Sequence, residues 1–238
     1  MIHHLHGKGF DPVVGSVHIK ELDKLIDKYR DELIITCDDR LISQQLAVDL
    51  LDRKGIKAWF FVCHHNVMEQ DRQTRERMGE GFYCWFINEC QKRVKDFLSQ
   101  YSFYTYEDRL YRFIRDDKVS GLHEEIMSPL RQPIQYLPLK NIRHHNIGMH
   151  TYSHPTNLET MSNHVQGNEW WYCFDWLTFA NGIEIESAAY PMGRYNEHTL
   201  EIMTTYGVKL GFRSDDLPVA NPNDLELPRT DIKNLIWK

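Results

Sequence analysis

Long apolar runs are missing from this 238-residue chain, and so is a charged-then-apolar leader at its start. No stretch approaches the length needed to span a bilayer, so a soluble, cytoplasmic protein without a transmembrane segment is expected. A basic excess is also missing. The net charge of −6 argues against nucleic acid as the main partner, because phosphate binding needs a basic surface. Paired cysteines are missing too: Cys37, Cys63, Cys84, Cys90 and Cys173 are odd in number and not closely spaced. That pattern fits reduced thiols rather than a disulfide framework. No internal repeat or low-complexity segment occurs. With 42% hydrophobic and 26% charged residues the composition is that of a globular protein, long enough to bury a core without staples.

Residues 16–30 carry an apolar stripe (Val17, Ile19, Leu22, Leu25, Ile26) at helical spacing. Residues 33–36 read as a buried strand, 43–53 as a helix stopped by Gly55, and 57–62 as a second buried strand. This alternation calls for a parallel sheet with helical crossovers. Residues 66–140 differ, being long, aromatic and charged. They predict a helical insertion, with helices near 83–98, 106–115 and 122–130 and an exit loop at Pro133 and Pro138. The charge run 71–77 reads as a solvated face, with contact to an anionic substrate as the alternative. After the insertion come a strand ending at His150, a helix within 156–180 and a strand at 183–190. A helix capped by Asn196 and stopped by Gly207 follows, with strands at 208–212 and 225–232. The aromatic face of 170–179 reads first as packing surface and second as a sugar platform.

Two places carry chemistry. His150 and His154 sit four residues apart, and two neutral imidazoles plus one carboxylate leave a divalent metal with open positions. The competing reading is a surface turn in a chain with 13 histidines. Asp38 and Asp39 end the first buried strand, where parallel α/β folds gather catalytic groups. The N-terminal run 1–9 reads as a strand and a Gly-rich loop, with His4 or His6 as alternatives for the rim of a site.

Taken in order, these stretches resemble the polysaccharide deacetylases that share the NodB homology domain. That family's Thr-Phe-Asp-Asp-Gly motif is matched by Thr36-Cys37-Asp38-Asp39-Arg40, and its Ala-Thr-Phe-Phe-Val strand by residues 58–62. Its His-Thr-Tyr-Ser-His-Pro context is matched by residues 150–155, its Tyr-Pro-Tyr-Gly stretch by Tyr190-Pro191-Met192-Gly193, and its Leu-Pro-Arg by Leu227-Pro228-Arg229. The resemblance covers roughly residues 33–62 and 146–232. It implies one domain over 1–238 with the insertion at about 66–140, and an α/β fold: a distorted, incomplete (β/α) barrel of about seven parallel strands.

The resemblance also implies hydrolysis of an N-acetyl group on an amino sugar or sugar-carrier substrate, in O-antigen or capsule biosynthesis. The cofactor would be a divalent metal, zinc first and cobalt, manganese or nickel as alternatives. Asp39, His150 and His154 would hold it, Asp38 would be the general base, and the backbone N–H of Met192 would stabilise the oxyanion. Three departures stand out. Arg40 replaces a glycine. Ala189 replaces an arginine that orients the base, leaving Arg229 or Arg194 for that role. No histidine follows His198 to act as the general acid, which leaves His4, His6, His64, His65, the insertion or a metal-bound water. A deformylase, a catalytically inactive sugar-binding protein and a homo-oligomer stay open as alternatives.

Overall fold

The structure, a computed structural model, describes residues 1–10, 16–30, 32–63, 136–155, 157–217 and 223–236. Among these, five strands form one all-parallel sheet in sequence order: β3 (Thr36–Asp38), β4 (Trp59–Val62), β5 (Asn146–Met149), β6 (Ser187–Ala189) and β7 (Leu210–Phe212). Two shorter strands, β1 (Leu5–His6) and β2 (Val17–His18), pair in parallel in a sheet of their own. Strand-like pairing extends past each edge of the large sheet. Ile2 bridges Cys37 beyond β3, and Leu227 bridges Phe212 beyond β7. The backbone N–H of Ile232 donates to the Met1 carbonyl, so both ends of the chain meet across the gap between the sheet edges. The architecture is the expected incomplete (β/α) barrel, with five of its seven described strands in the sheet.

The helices follow from stripes of apolar residues. In α1 (Ile19–Tyr29) Leu22 and Ile26 are buried, and the His18 ring accepts from the Lys20 N–H as the cap. In α2 (Gln45–Lys54) Leu46, Ala47, Val48, Leu50 and Leu51 are buried, and Gly55 ends the helix in the left-handed conformation (φ 66°). The short α3 (Leu139–Ile142) leads into β5, α4 (Asn163–Asp175) continues into a π-helical turn at Trp176–Ala180, α5 is Glu197–Thr205 and α6 is Ile232–Ile236. Asn196 caps α5 with a reciprocal pair of bonds to Thr199, as its side chain predicts.

Alternation along the strands divides the core. Phe60 and Val62 join the large cluster under the helices, while Phe61 joins Ala189 and Phe212 on the other face of the sheet. Thr36 and Asp38 share that second face, which is why both meet the side chain of Arg229.

Three expectations need correction. The first strand lies at Thr36–Asp38 rather than 33–36, because pairing with β4 begins at Thr36 opposite Trp59; Ile34 is 63% exposed. Residues 17–18 form a strand rather than the first turn of a helix. No strand runs over 225–232: after Leu227 the Arg229 N–H donates to the Asp215 carbonyl, out of register with β7, so pairing stops at one bridge and a helix follows. The three helices expected in the insertion lie outside the described residues.

Gly148 is required by close packing in β5. A Cβ there would lie 2.5 Å from the Ser187 Oγ and 2.6 Å from a Phe61 ring carbon. Gly148→Ala is expected to lower unfolding free energy by about 1–3 kcal/mol; a denaturant midpoint unchanged from wild type contradicts this packing.

Candidate active site

The site forms at the C-terminal ends of β3, β5 and β6. Asp38 closes β3, and the chain then turns sharply through Asp39 (φ 73°) and Arg40 (φ 59°). A glycine would adopt that backbone without strain, so the structure shows what Arg40 gives up by replacing one. After β5 the chain forms a tight loop rather than a helical turn, with Thr151 (φ 68°) and His154 (φ 56°) in the left-handed region. The His150 N–H donates to the Val62 carbonyl. The Thr151 hydroxyl accepts from the His154 N–H at 3.1 Å, and Glu169 of α4 accepts from both the backbone and the hydroxyl of Ser153 at 2.9 and 2.6 Å. The loop is thus held from within and from the neighbouring helix.

This geometry gathers Asp39, His150 and His154. The Asp39 Oδ1 lies 3.4 Å from the Nε2 of each histidine, and one ligand atom from each residue falls within 4.8 Å of the others. The His150 Nδ1 faces the Ala189 carbonyl at 2.8 Å. A carbonyl only accepts, so Nδ1 carries the proton and Nε2 keeps its lone pair. The His150 Nε2 and Asp39 Oδ1 are both buried without a hydrogen-bond partner. Orphaned acceptors converging in this way fit a divalent cation. Burial would raise the Asp39 pKa, but the charge of His154, with those of His3 and His150, holds it well below its ordinary value.

Asp38 points beside this group. Arg229 grips it bidentately, Nη1 to Oδ1 at 2.7 Å and Nη2 to Oδ2 at 2.8 Å, and Nη1 also donates to the Thr36 hydroxyl at 3.1 Å. The Arg229 Nε donates to the Arg213 carbonyl at 2.5 Å, and the guanidinium lies over the rings of Phe61 and Phe212. Burial opposes ionisation of Asp38, but the charges of Arg229 and then His150, with the Arg229 hydrogen bonds, lower its pKa to about 2. Arg194 is excluded as the partner of Asp38: it pairs with Glu159 at 3.5 Å. Met192 takes a left-handed backbone (φ 56°) in the turn after β6.

The structure brings His3, not His4 or His6, toward Asp38, with Nε2 3.9 Å from Oδ2. His4 is buried, and His6 bonds to Ser16 and meets the edge of the His18 ring. His64 and His65 lie outside the described residues. His198 engages Glu201 and the Asn163 carbonyl. Alternation along 1–9 was the signal available for His3, since its neighbour His4 must face the other way. Glu169, the Ala189 carbonyl and Gln44, whose amide donates to the carbonyls of His3 and Asp38, had no local signal.

A second group, Asp52, His144 and His145, also lies within 4.8 Å. There the Ala58 N–H donates to the His145 Nδ1, so the neutral ring carries its proton on Nε2 and offers no lone pair there. The Asp52 Oδ1 is bonded to the His144 Nε2 at 2.6 Å. The His145 Nε2 is buried without a hydrogen-bond partner, 3.4 Å from the Asp52 Oδ1, but with its proton there it is a donor rather than a ligand atom.

Arg229→Met removes the partner of a buried carboxylate. It is expected to destabilise the protein by ~3–5 kcal/mol. It should also raise the pKa of Asp38, so that the stability now present above the ordinary carboxylate pKa, and lost only as pH falls toward about 2, disappears at higher pH. Chemical denaturation at pH 7 and pH 4 checks this; equal stability of the two proteins at both values contradicts it.

Residues 137–211 match the sequence model of the polysaccharide deacetylase family. That segment contains His150, His154 and Met192 but not Asp38, Asp39 or Arg229. No curated protein matches by sequence. Similar solved structures include the Streptococcus pyogenes deacetylase PplD in complex with acetate, at 20% identity over 99% of this chain and 94% of that chain, TM-score 0.55. IcaB from Ammonifex degensii is 16% identical over 99% and 95% of the two chains, TM-score 0.55. The BpsB deacetylase domain from Bordetella bronchiseptica is 11% identical over 96% and 94%, TM-score 0.54. At these identities the structures share the fold. Among the described residues no helix is long and apolar enough to cross a membrane. The chain is similar to polysaccharide deacetylases, in sequence over residues 137–211 and in fold along its length.

Proposed function

We propose that this chain is a metal-dependent hydrolase that removes an N-acetyl group from an amino sugar of a surface-polysaccharide intermediate (O-antigen or capsule). The observation that carries the reading is the pair of orphaned buried acceptors, the Asp39 Oδ1 and the His150 Nε2, beside a carboxylate held in one orientation. Asp39, His150 and His154 would hold a divalent ion, zinc first and cobalt, manganese or nickel as alternatives. That ion would lower the pKa of a water molecule and polarise the amide carbonyl. The PplD structure in complex with acetate supports the same reaction class, since acetate is the product of such a hydrolysis.

The chain's own groups do the rest. Asp38 accepts the proton of the attacking water as the oxygen bonds to the acetyl carbon. A carboxylate held at about 2 is a weak base. Bulk water has a pKa of about 15.7, so the proposed step depends on the ligand group being filled. Arg229 fixes which Asp38 oxygen faces the reaction and keeps it ionised. The Met192 N–H donates to the oxyanion that forms on the carbonyl oxygen; a main-chain donor is indifferent to the side chain it carries. The C–N bond then breaks, and the leaving nitrogen needs a proton. Burial lowers the His3 pKa against the opposing pull of Asp39 and Asp38. His3, neutral at rest and 3.9 Å from Asp38, relays the proton from Asp38 to the amine. Acetate and a free amino sugar result.

Acetate release from a panel of N-acetylated sugars tests the reading. Chelation is expected to abolish release and metal to restore it, with Asp38→Asn and His150→Ala silent in both states. Metal-independent release, or full activity in either variant, contradicts it, and release of formate alone makes the chain a deformylase. His3→Asn is expected to lower kcat by about 10²–10⁴ with KM little changed; kcat within threefold of wild type removes His3 from the relay.

A further inference from the structure

Arg40 is the departure from the deacetylase pattern that the reaction does not use. It follows Asp39 directly, in a left-handed backbone (φ 59°). The guanidinium carbon lies 5.0 Å from the centre of the Trp176 ring and 5.4 Å from that of Tyr136. Its backbone is anchored, since the Leu137 N–H donates to the Arg40 carbonyl at 2.9 Å and Leu41 bridges Tyr136. Its Nε is buried without a hydrogen-bond partner. Among the described residues no carboxylate pairs with it, whereas Arg229, Arg213 and Arg194 pair with Asp38, Asp215 and Glu159.

A guanidinium whose Nε is drawn out of water with no counter-charge among the described residues is costly. Ring faces offset only part of that cost. The position adjoins the ligand group through Asp39 and through the helix that borders the histidine loop. Tyr152, between the two ligand histidines, packs against Tyr172 of α4 at 5.3 Å. Trp176 lies one turn further along the same helix face.

We propose that Arg40, held between Trp176 and Tyr136, is a receptor for an anionic oxyacid group carried by the substrate next to the acetamido sugar. A guanidinium fork suits both phosphoryl and carboxylate oxygens, so the group is either a sugar phosphate or a neighbouring hexuronate. The assignment rests on the deacetylase reading of the same site.

The test uses the full chain with its metal and records two signals from the same samples, the Arg40 Nε–Hε resonance and released acetate. The resonance is assigned by its absence in Arg40→Lys. Three probes are titrated: N-acetylglucosamine 1-phosphate, N-acetylglucosamine joined to glucuronic acid, and the uncharged methyl glycoside of N-acetylglucosamine. At least one anionic probe is expected to move the resonance saturably, at a concentration about tenfold or more below that of the uncharged probe, and to bind Arg40→Gln about tenfold more weakly by tryptophan fluorescence. The probe that does so names the source of the anion. No movement with either anionic probe, or equal half-saturation for all three, overturns the proposal. Acetate release without an Arg40 shift removes the anion receptor alone. An Arg40 shift without acetate release from any probe counts against the hydrolase reading alone.

Discussion

The ion pair between Asp38 and Arg229 is the interaction on which the site depends. The two residues are 191 positions apart, one ending the first strand of the sheet and the other lying beyond its last strand. Removing two charges from water is unfavourable unless their hydrogen bonds are complete. Here Arg229 donates to both oxygens of Asp38, to the Thr36 hydroxyl and to the Arg213 carbonyl, and lies against two aromatic rings. The same pair joins the two sides of an open barrel and fixes the carboxylate beside the ligand group. Fold closure and the orientation of the base are therefore one arrangement.

Strain is concentrated around that arrangement. The non-glycine residues with positive φ among those described are Asp39, Arg40, Thr151, His154 and Met192, all in turns that follow β3, β5 and β6. Each such conformation costs of order 1 kcal/mol or more, and persists where the surroundings over-determine it. The surroundings here are specific: Thr151 and Glu169 hold the histidine loop, Ala189 fixes the His150 ring, and Gln44 ties the end of β3 to the N-terminal segment. The strands serve as a rigid base, and the turns aim side chains that a regular strand would direct to opposite faces.

Much of this was legible in the chain because it rests on local rules. Gly55 and Asn196 mark helix ends through backbone chemistry that neighbours do not alter. The apolar runs around Phe60 and Ile147 announce buried strands, and Asp38 with Asp39 at a strand end reads as chemistry. What the sequence hid is non-local. Whether Arg229 or Arg194 meets Asp38 depends on which of two loops folds back across the barrel. His3 rather than His4 faces the base because pairing of Ile2 with Cys37 sets the register of the N-terminal segment. The shift of β3 to Thr36–Asp38 is likewise a register effect, decided by Trp59 on the neighbouring strand. The strand expected over 225–232 likewise ends by register, since the Arg229 N–H reaches the Asp215 carbonyl instead of continuing along β7.

The central claim is that Asp39, His150 and His154 hold a metal ion beside Asp38. Titration of the metal-free full chain with cobalt(II), followed by its visible absorption, tests this most directly because it needs no substrate. The account predicts saturation at one equivalent, loss of the spectrum in His150→Ala and in His154→Ala, and a retained spectrum in Asp38→Asn. An unchanged spectrum in both histidine variants, or its loss on replacing His144 and His145 instead, would contradict the account and move the metal to the opposite end of the sheet.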